Sequence, residues 1–112
     1  AADQSATFAS TVTATGAITF GGGSTIKTVL TATATLDFTE IAAAGSADLT
    51  ITVTGAAVND SVSLGLPASP AAGIVWNAFV SATNTVTVRA SNITASPVNP
   101  ASATYRATVT SF

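Results

Sequence analysis

Apolar and hydroxyl-bearing residues alternate with a period of two along most of this 112-residue chain, which predicts strands with one covered and one solvated face. Leu49, Ile51 and Val53 alternate with Thr50, Thr52 and Thr54 until Gly55 interrupts. Val62, Leu64 and Leu66 alternate with Ser61, Ser63 and Gly65 until Pro67, which cannot donate to a ladder. The same rhythm sets Val86, Val88 and Ala90 against Thr85, Thr87 and Arg89, and Ala103, Tyr105, Ala107 and Val109 against Thr104, Arg106, Thr108 and Thr110. A long strand is predicted from Ile26 to Phe38, with Leu30, Ala32, Ala34, Leu36 and Phe38 on its apolar face. Ile74 to Val80 is a nearly continuous apolar run and is expected to be a central strand covered on both faces. Helical period is nearly absent: Ile41 to Ala47, interrupted by Gly45 and Ser46, is too short for more than a turn.

Turn-forming residues at 55–60, 67–73, 81–84 and 92–100 separate these strands, at spacings of roughly 8–15 residues that point to an all-β sandwich or barrel. Residues 26–112 are expected to form a β-sandwich head of about seven antiparallel strands. Its core would draw on Leu30, Leu36, Phe38, Leu49, Ile51, Val53, Leu64, Trp76, Val86, Val88, Tyr105 and Val109. Residues 1–25 read as a separate β-stem for trimerisation or attachment: two short strands joined at Gly16 and closed by the turn Gly21-Gly22-Gly23-Ser24. The stem has few large side chains, Phe8, Val12, Ile18 and Phe20. At about 1.5–3 kcal/mol per fully buried side chain it cannot hold itself together, so it must dock on the head or on other copies.

Composition narrows the function. The eight charged residues are Asp3, Lys27, Asp37, Glu40, Asp48, Asp60, Arg89 and Arg106, for a net charge of −2. Three scattered cations offer no stripe to neutralise phosphates, which excludes nucleic acid as an expected partner. Without Cys or His there is no thiolate nucleophile, no disulfide framework, and neither the commonest general base nor the commonest metal ligand. No apolar run approaches the ~20 residues of a membrane span, and membrane insertion is not expected. No basic segment precedes an apolar run, so a signal peptide is not expected either. Ala, Thr and Ser dominate the chain, and so neutral a surface suits a subunit packed against its copies better than a solitary domain, where about a quarter of residues are charged.

Each remaining candidate site has a structural reading that is preferred. Asp37 and Glu40 could be a glycosidase pair, but no polar partners accompany them, and solubility at a strand end suffices. The triple-Gly turn lacks the Gly-Lys-Ser/Thr ending and the following helix of a phosphate loop. Asp60 stands alone as a calcium ligand and reads as a turn former. The triplets Asn59-Asp60-Ser61 and Asn92-Ile93-Thr94 match the glycosylation pattern, which chance supplies in a Thr- and Ser-rich chain. Trp76 and Phe79 are three apart in a strand and face opposite sides, so a core Trp is preferred to a sugar-stacking platform. Arg89 and Arg106, mid-strand on the hydroxyl face, are expected to pair with Asp48, Asp37 or Glu40 within a sheet or across subunits. No catalytic residue, cofactor or metal site is expected.

The stretch from Leu36 to Val109 resembles a recurrent domain of tailed-bacteriophage fibre-like virion proteins. The pieces carrying the resemblance are LDF at Leu36, LTITVTGA at Leu49 to Ala56, DSVxLG at Asp60 to Gly65, and VWxAFVSA at Val75 to Ala82. TVTVR at Thr85 to Arg89 and NPASATYR at Asn99 to Arg106 complete it. Upstream, STVTATGAITFGGGS is similar to the strand-turn repeats of trimeric phage shafts. The resemblance implies a non-enzymatic homotrimeric fibre or spike on the virion surface, on capsid or tail. The partners so expected are copies of itself, other virion proteins, and a host-surface glycan or receptor. Phe8, Val12, Ile18, Phe20, Arg89 and Arg106 are the candidate assembly contacts. The longest loops of the head, with Pro67, Ser69, Pro70, Asn92 and Asn99, are the candidate recognition surface. The alternatives are a subunit of a bacterial or archaeal filament, in which the N-terminal strand of one copy completes the sheet of the next, and a small carbohydrate-binding module.

Overall fold

A computed structural model describes residues 9–112. The chain is all-β, and its head is a sandwich of two three-stranded antiparallel sheets. The strands in chain order are β1 (Ile18–Thr19), β2 (Thr25–Ile26), β3 (Thr28–Leu36), β4 (Ser46–Thr52), β5 (Ser61–Gly65), β6 (Ile74–Ala82), β7 (Thr85–Asn92) and β8 (Ala103–Ser111). One sheet has the order β3-β8-β5 and the other β4-β7-β6, while β1 and β2 form a separate small hairpin. The head has six strands, because the connections 53–60, 66–73 and 93–102 hold turns and bends instead of a further strand.

Alternation decides which side of each strand is buried. Across the first sheet, Leu30, Val109 and Val62 share one inward row and Ala32, Ala107 and Leu64 the next. Across the second, Ile51, Val86 and Val80 share a row, as do Leu49, Val88 and Ala78. The expected core residues are all buried or packed against the buried cluster, which also takes in Ile41, Ala56, Val80, Ala90 and Ala107. Ala90 stands opposite Trp76 in the ladder, and its small side chain leaves room for the indole. Phe38, Trp76 and Tyr105 fill that space with ring centroids 5.2–6.1 Å apart. Edge-on and tilted aromatic pairs of this kind add about 0.5–1.5 kcal/mol beyond the area they bury. The Trp76 Nε1–H finds no acceptor there.

Two expectations about strand position are corrected. β6 lies at a sheet edge, not in the centre, with Val75 half exposed; the central strands are β7 and β8. The apolar run of β6 is continuous because its outer face carries Phe79, whose ring lies beneath the Arg89 guanidinium, 5.1 Å from centroid to Cζ. The stem also differs. Gly16 joins no strands: the hairpin is Ile18↔Ile26 and Thr19↔Thr25, turning through Phe20–Ser24 with Gly21 at φ 57°. Residues 9–17 form no ladder.

The described residues measure 64 × 28 × 23 Å. A nine-residue strand such as β3 spans only about 30 Å, so the stem extends well beyond the head. It enters through Lys27, whose N–H donates to the Ser111 carbonyl at 2.8 Å. That bond fixes a proximal end of the sandwich holding the start of β3, the end of β8 and the 53–60 loop. Here Asn84, at φ 64° in the β6–β7 turn, accepts from the Gly55 N–H through Oδ1 at 2.8 Å. Its own N–H donates to the Ala56 carbonyl. Gly55 is required at this point: φ is +97°, and a Cβ would sit 3.1 Å from Leu30.

Candidate functional site

Three connections meet at the end of the sandwich opposite the stem: residues 37–45 between β3 and β4, 66–73 between β5 and β6, and 93–102 between β7 and β8. They form one bonded unit. Ile41 and Val98 make a two-way backbone bridge of 2.7 and 3.0 Å. The Ile93 N–H donates to the Gly73 carbonyl at 3.0 Å, tying the second connection to the third. The two loops singled out as a recognition surface are therefore neighbours, and both lie distal to the stem.

Asn92 is the hub of this unit. Its Nδ2 donates to the carbonyls of Ile41 (3.0 Å) and Ser96 (2.8 Å). Its Oδ1 accepts from the Thr94 N–H (2.9 Å) and the Thr94 hydroxyl (2.7 Å). Its own N–H donates to the Gly45 carbonyl at 2.8 Å. Asn92 is only 2 % exposed, so its assignment to the contact surface is corrected: its polar groups are all spent inside the fold. The Asn92-Ile93-Thr94 triplet is an Asx-turn, in which the side-chain oxygen accepts from the amide two residues on. Its Nδ2 is occupied and buried, away from any modifying chemistry in the folded chain.

The rest of the distal surface is sorted by exposure. Ser69, Pro70 and Asn99 are exposed and Pro67 is half-buried. With the Asn99 amide assigned so that its nitrogen rather than its oxygen meets the two acceptors, it donates to the Phe38 and Pro100 carbonyls at 3.0 and 3.2 Å, which holds the third connection against the first. Asp37 and Glu40 are exposed at the same end. Ile93, at 70 % exposure, is the most exposed large apolar side chain of the head. Sequence reasoning missed it because an isolated Ile in a loop carries no periodic signal. Its neighbours Asn92 and Thr94 turn inward, and that leaves Ile93 facing out.

The candidate assembly residues separate into two groups. Phe8 lies outside the described residues. Val12 (61 %), Ile18 (43 %) and Phe20 (69 %) are all exposed, so these apolar side chains of the described part of the stem are not covered by the head. Val29, Val58 and Phe112 are also exposed, around the proximal end of the head. Val29 was legible in principle, since it interrupts the Thr31, Thr33, Thr35 series on the outer face of β3.

Arg89 and Arg106 belong to the sheets. Arg89 pairs with Asp48 on the neighbouring strand through both carboxylate oxygens, Nε to Oδ1 at 2.8 Å and Nη2 to Oδ2 at 2.9 Å. This hydrogen-bonded ion pair holds the Asp48 carboxyl below its usual range and the Arg89 guanidinium above its own. Within the chain, Arg106 donates to the Thr31 hydroxyl at 2.8 Å and meets no carboxylate among the described residues. Opposite it in the ladder is Gly65, where a Cβ would crowd Arg106 at 3.3 Å. Trp76 lies among Phe38 and Tyr105, turned away from any sugar-stacking surface, and Phe79 alone faces outward. Asp60 closes the 57–60 turn by accepting from the Ala57 N–H at 3.0 Å, three residues upstream.

No cavity and no cluster of metal-ligating side chains is found among the described residues. The chain matches no protein family, no curated protein and no solved structure.

Proposed function

We propose that the chain is a structural virion protein of a tailed bacteriophage: a homotrimeric fibre or spike, displayed on capsid or tail, that performs no catalysis. One observation carries the reading. The stem holds Val12, Ile18 and Phe20 uncovered outside the sandwich, and each such side chain gains about 1.5–3 kcal/mol when copies bury it. The polarity of the molecule supports the same assignment, with an adhesive segment at one end and, at the other, two loops each bonded to a third. Rigid loops lose little entropy on contact, which suits them to meet a host-surface glycan or receptor. Ser69, Pro70, Ile93 and Asn99 form that contact surface.

The test is immunogold labelling of purified virions with antibody raised against the chain. Label on fibres or on the capsid surface is expected; particles that carry no label contradict the assignment.

A further inference from the structure

Natural sheets protect their open edges with charges, prolines, bulges or short strands, and three of the four edges of this sandwich do so. β5 is five residues long and is followed by Pro67. β6 has a register shift between Val80 and Ala82. β4 carries the charged Asp48. The fourth, β3, has nine residues, TVLTATATL, with no charge, no proline and no irregularity in its pairing to β8. Its inward Leu30, Ala32 and Ala34 remain only half-buried, because nothing lies beyond them on that side.

The same chain carries an unpaired segment that fits this edge. The β1–β2 hairpin pairs Ile18 with Ile26. Carried on in that register, Ala14 would face Leu30, Val12 would face Ala32 and Ser10 would face Ala34. The intervening Thr15, Thr13 and Thr11 would face Val29, Thr31 and Thr33. Inward positions therefore meet inward positions and hydroxyl positions mostly meet hydroxyl positions over the whole segment. A shift of one residue would put Val12 on the solvent face. In the structure residues 9–17 form no ladder and stay exposed, projecting with the stem beyond the head.

Resting on the assembly reading above, we infer that residues 9–16 of one copy add to β3 of a second copy as a fourth, antiparallel strand in this register. The exchange covers the one unprotected edge and buries Val12 beside Ala32. It is the low-cost route to association open to a chain whose linking element is a hairpin, and repeated around a threefold axis it closes a trimer.

Cysteine cross-linking of the full-length chain tests the exchange, since the protein has no Cys of its own. Facing residues in an antiparallel ladder have Cα atoms about 4.5–5.5 Å apart, within the roughly 4.4–6.8 Å that a disulfide spans. Chains with Val12→Cys and chains with Ala32→Cys are co-expressed and oxidised, with Thr13→Cys and Thr31→Cys as a second facing pair on the other side of the sheet. Val12→Cys with Thr31→Cys serves as the off-register control. A disulfide-linked two-chain band from both facing pairs, and none from the control, is expected. Linkage confined to single chains carrying both substitutions means that the segment folds back on its own β3 and overturns the exchange. Equal linkage in the control, or none in either facing pair, also overturns it. The mass of the unlinked protein keeps the two proposals apart: three chains without cross-links leaves the trimer standing and removes the exchange, and a monomer removes both.

Discussion

Replacing Asn92 with Ala removes four side-chain hydrogen bonds from the distal end in one step. The groups left behind fare differently. The Ile41 carbonyl keeps the Val98 N–H at 3.0 Å, and the Thr94 hydroxyl, released from Asn92, can donate to the Ser96 carbonyl 2.8 Å away. The Thr94 N–H loses its acceptor, an unmet donor that costs about 1–3 kcal/mol, and the other lost bonds are worth about 0.5–1.5 kcal/mol each in net terms. Since two of the partners are partly compensated, a total near 3 kcal/mol is expected. In a domain of this size 1 kcal/mol moves the melting temperature by about 4 °C, so Asn92→Ala should melt roughly 12 °C below the parent. Asn92→Asp should be worse at neutral pH, because it turns a carboxylate oxygen toward the Ile41 and Ser96 carbonyls. Circular dichroism melts of the three proteins at pH 7 decide the matter. A melting temperature for Asn92→Ala within about 2 °C of the parent, or an Asp variant more stable than the Ala variant, would refute the hub assignment.

Gly73 has φ +78°, and an added Cβ would collide with the Thr94 Cγ2, so Gly73→Ala should destabilise by about 2 kcal/mol or more in urea titrations. Asp48 has a lowered pKa, so its pairing with Arg89 stabilises the fold above the ordinary carboxyl value of 3.8 and is lost as pH falls through the folded value. The gap in urea midpoint between the parent and Asp48→Asn should be small at pH 7, shrink in high salt and close near pH 2; a gap that widens on acidification contradicts the pairing. Tyr105, the sole tyrosine, has its pKa raised above 10.0 by burial. The stability it confers is complete below pH 10 and falls as pH rises toward the folded value, so phenolate absorbance at 295 nm should rise later in the native chain than in the unfolded one.

The sandwich was legible because each strand buries one face, and alternation records burial directly: Leu49, Ile51 and Val53 face in and their threonine neighbours face out. Position within a sheet was not legible from the same pattern. The run through Val75, Trp76 and Phe79 looked doubly covered, whereas on this edge strand the outward Phe79 is partly covered by the Arg89 guanidinium across the ladder. Side-chain class also misled at Asn92, since a loop asparagine is ordinarily solvated. The Asn-x-Thr spacing carried the local turn, but the partners Ile41 and Ser96 are fixed by tertiary structure. The surroundings of Arg106 are likewise set by tertiary structure: strand pairing puts it opposite Gly65 and within reach of the Thr31 hydroxyl.

Association through the stem is tested most directly by the solution mass of the intact chain beside that of a chain lacking residues 1–25, each measured by sedimentation equilibrium with a melting curve to confirm folding. Three chains per particle for the intact protein and a folded, cooperatively melting monomer for the shortened one are predicted. An intact chain that stays monomeric, or a shortened chain that still forms trimers, would contradict it.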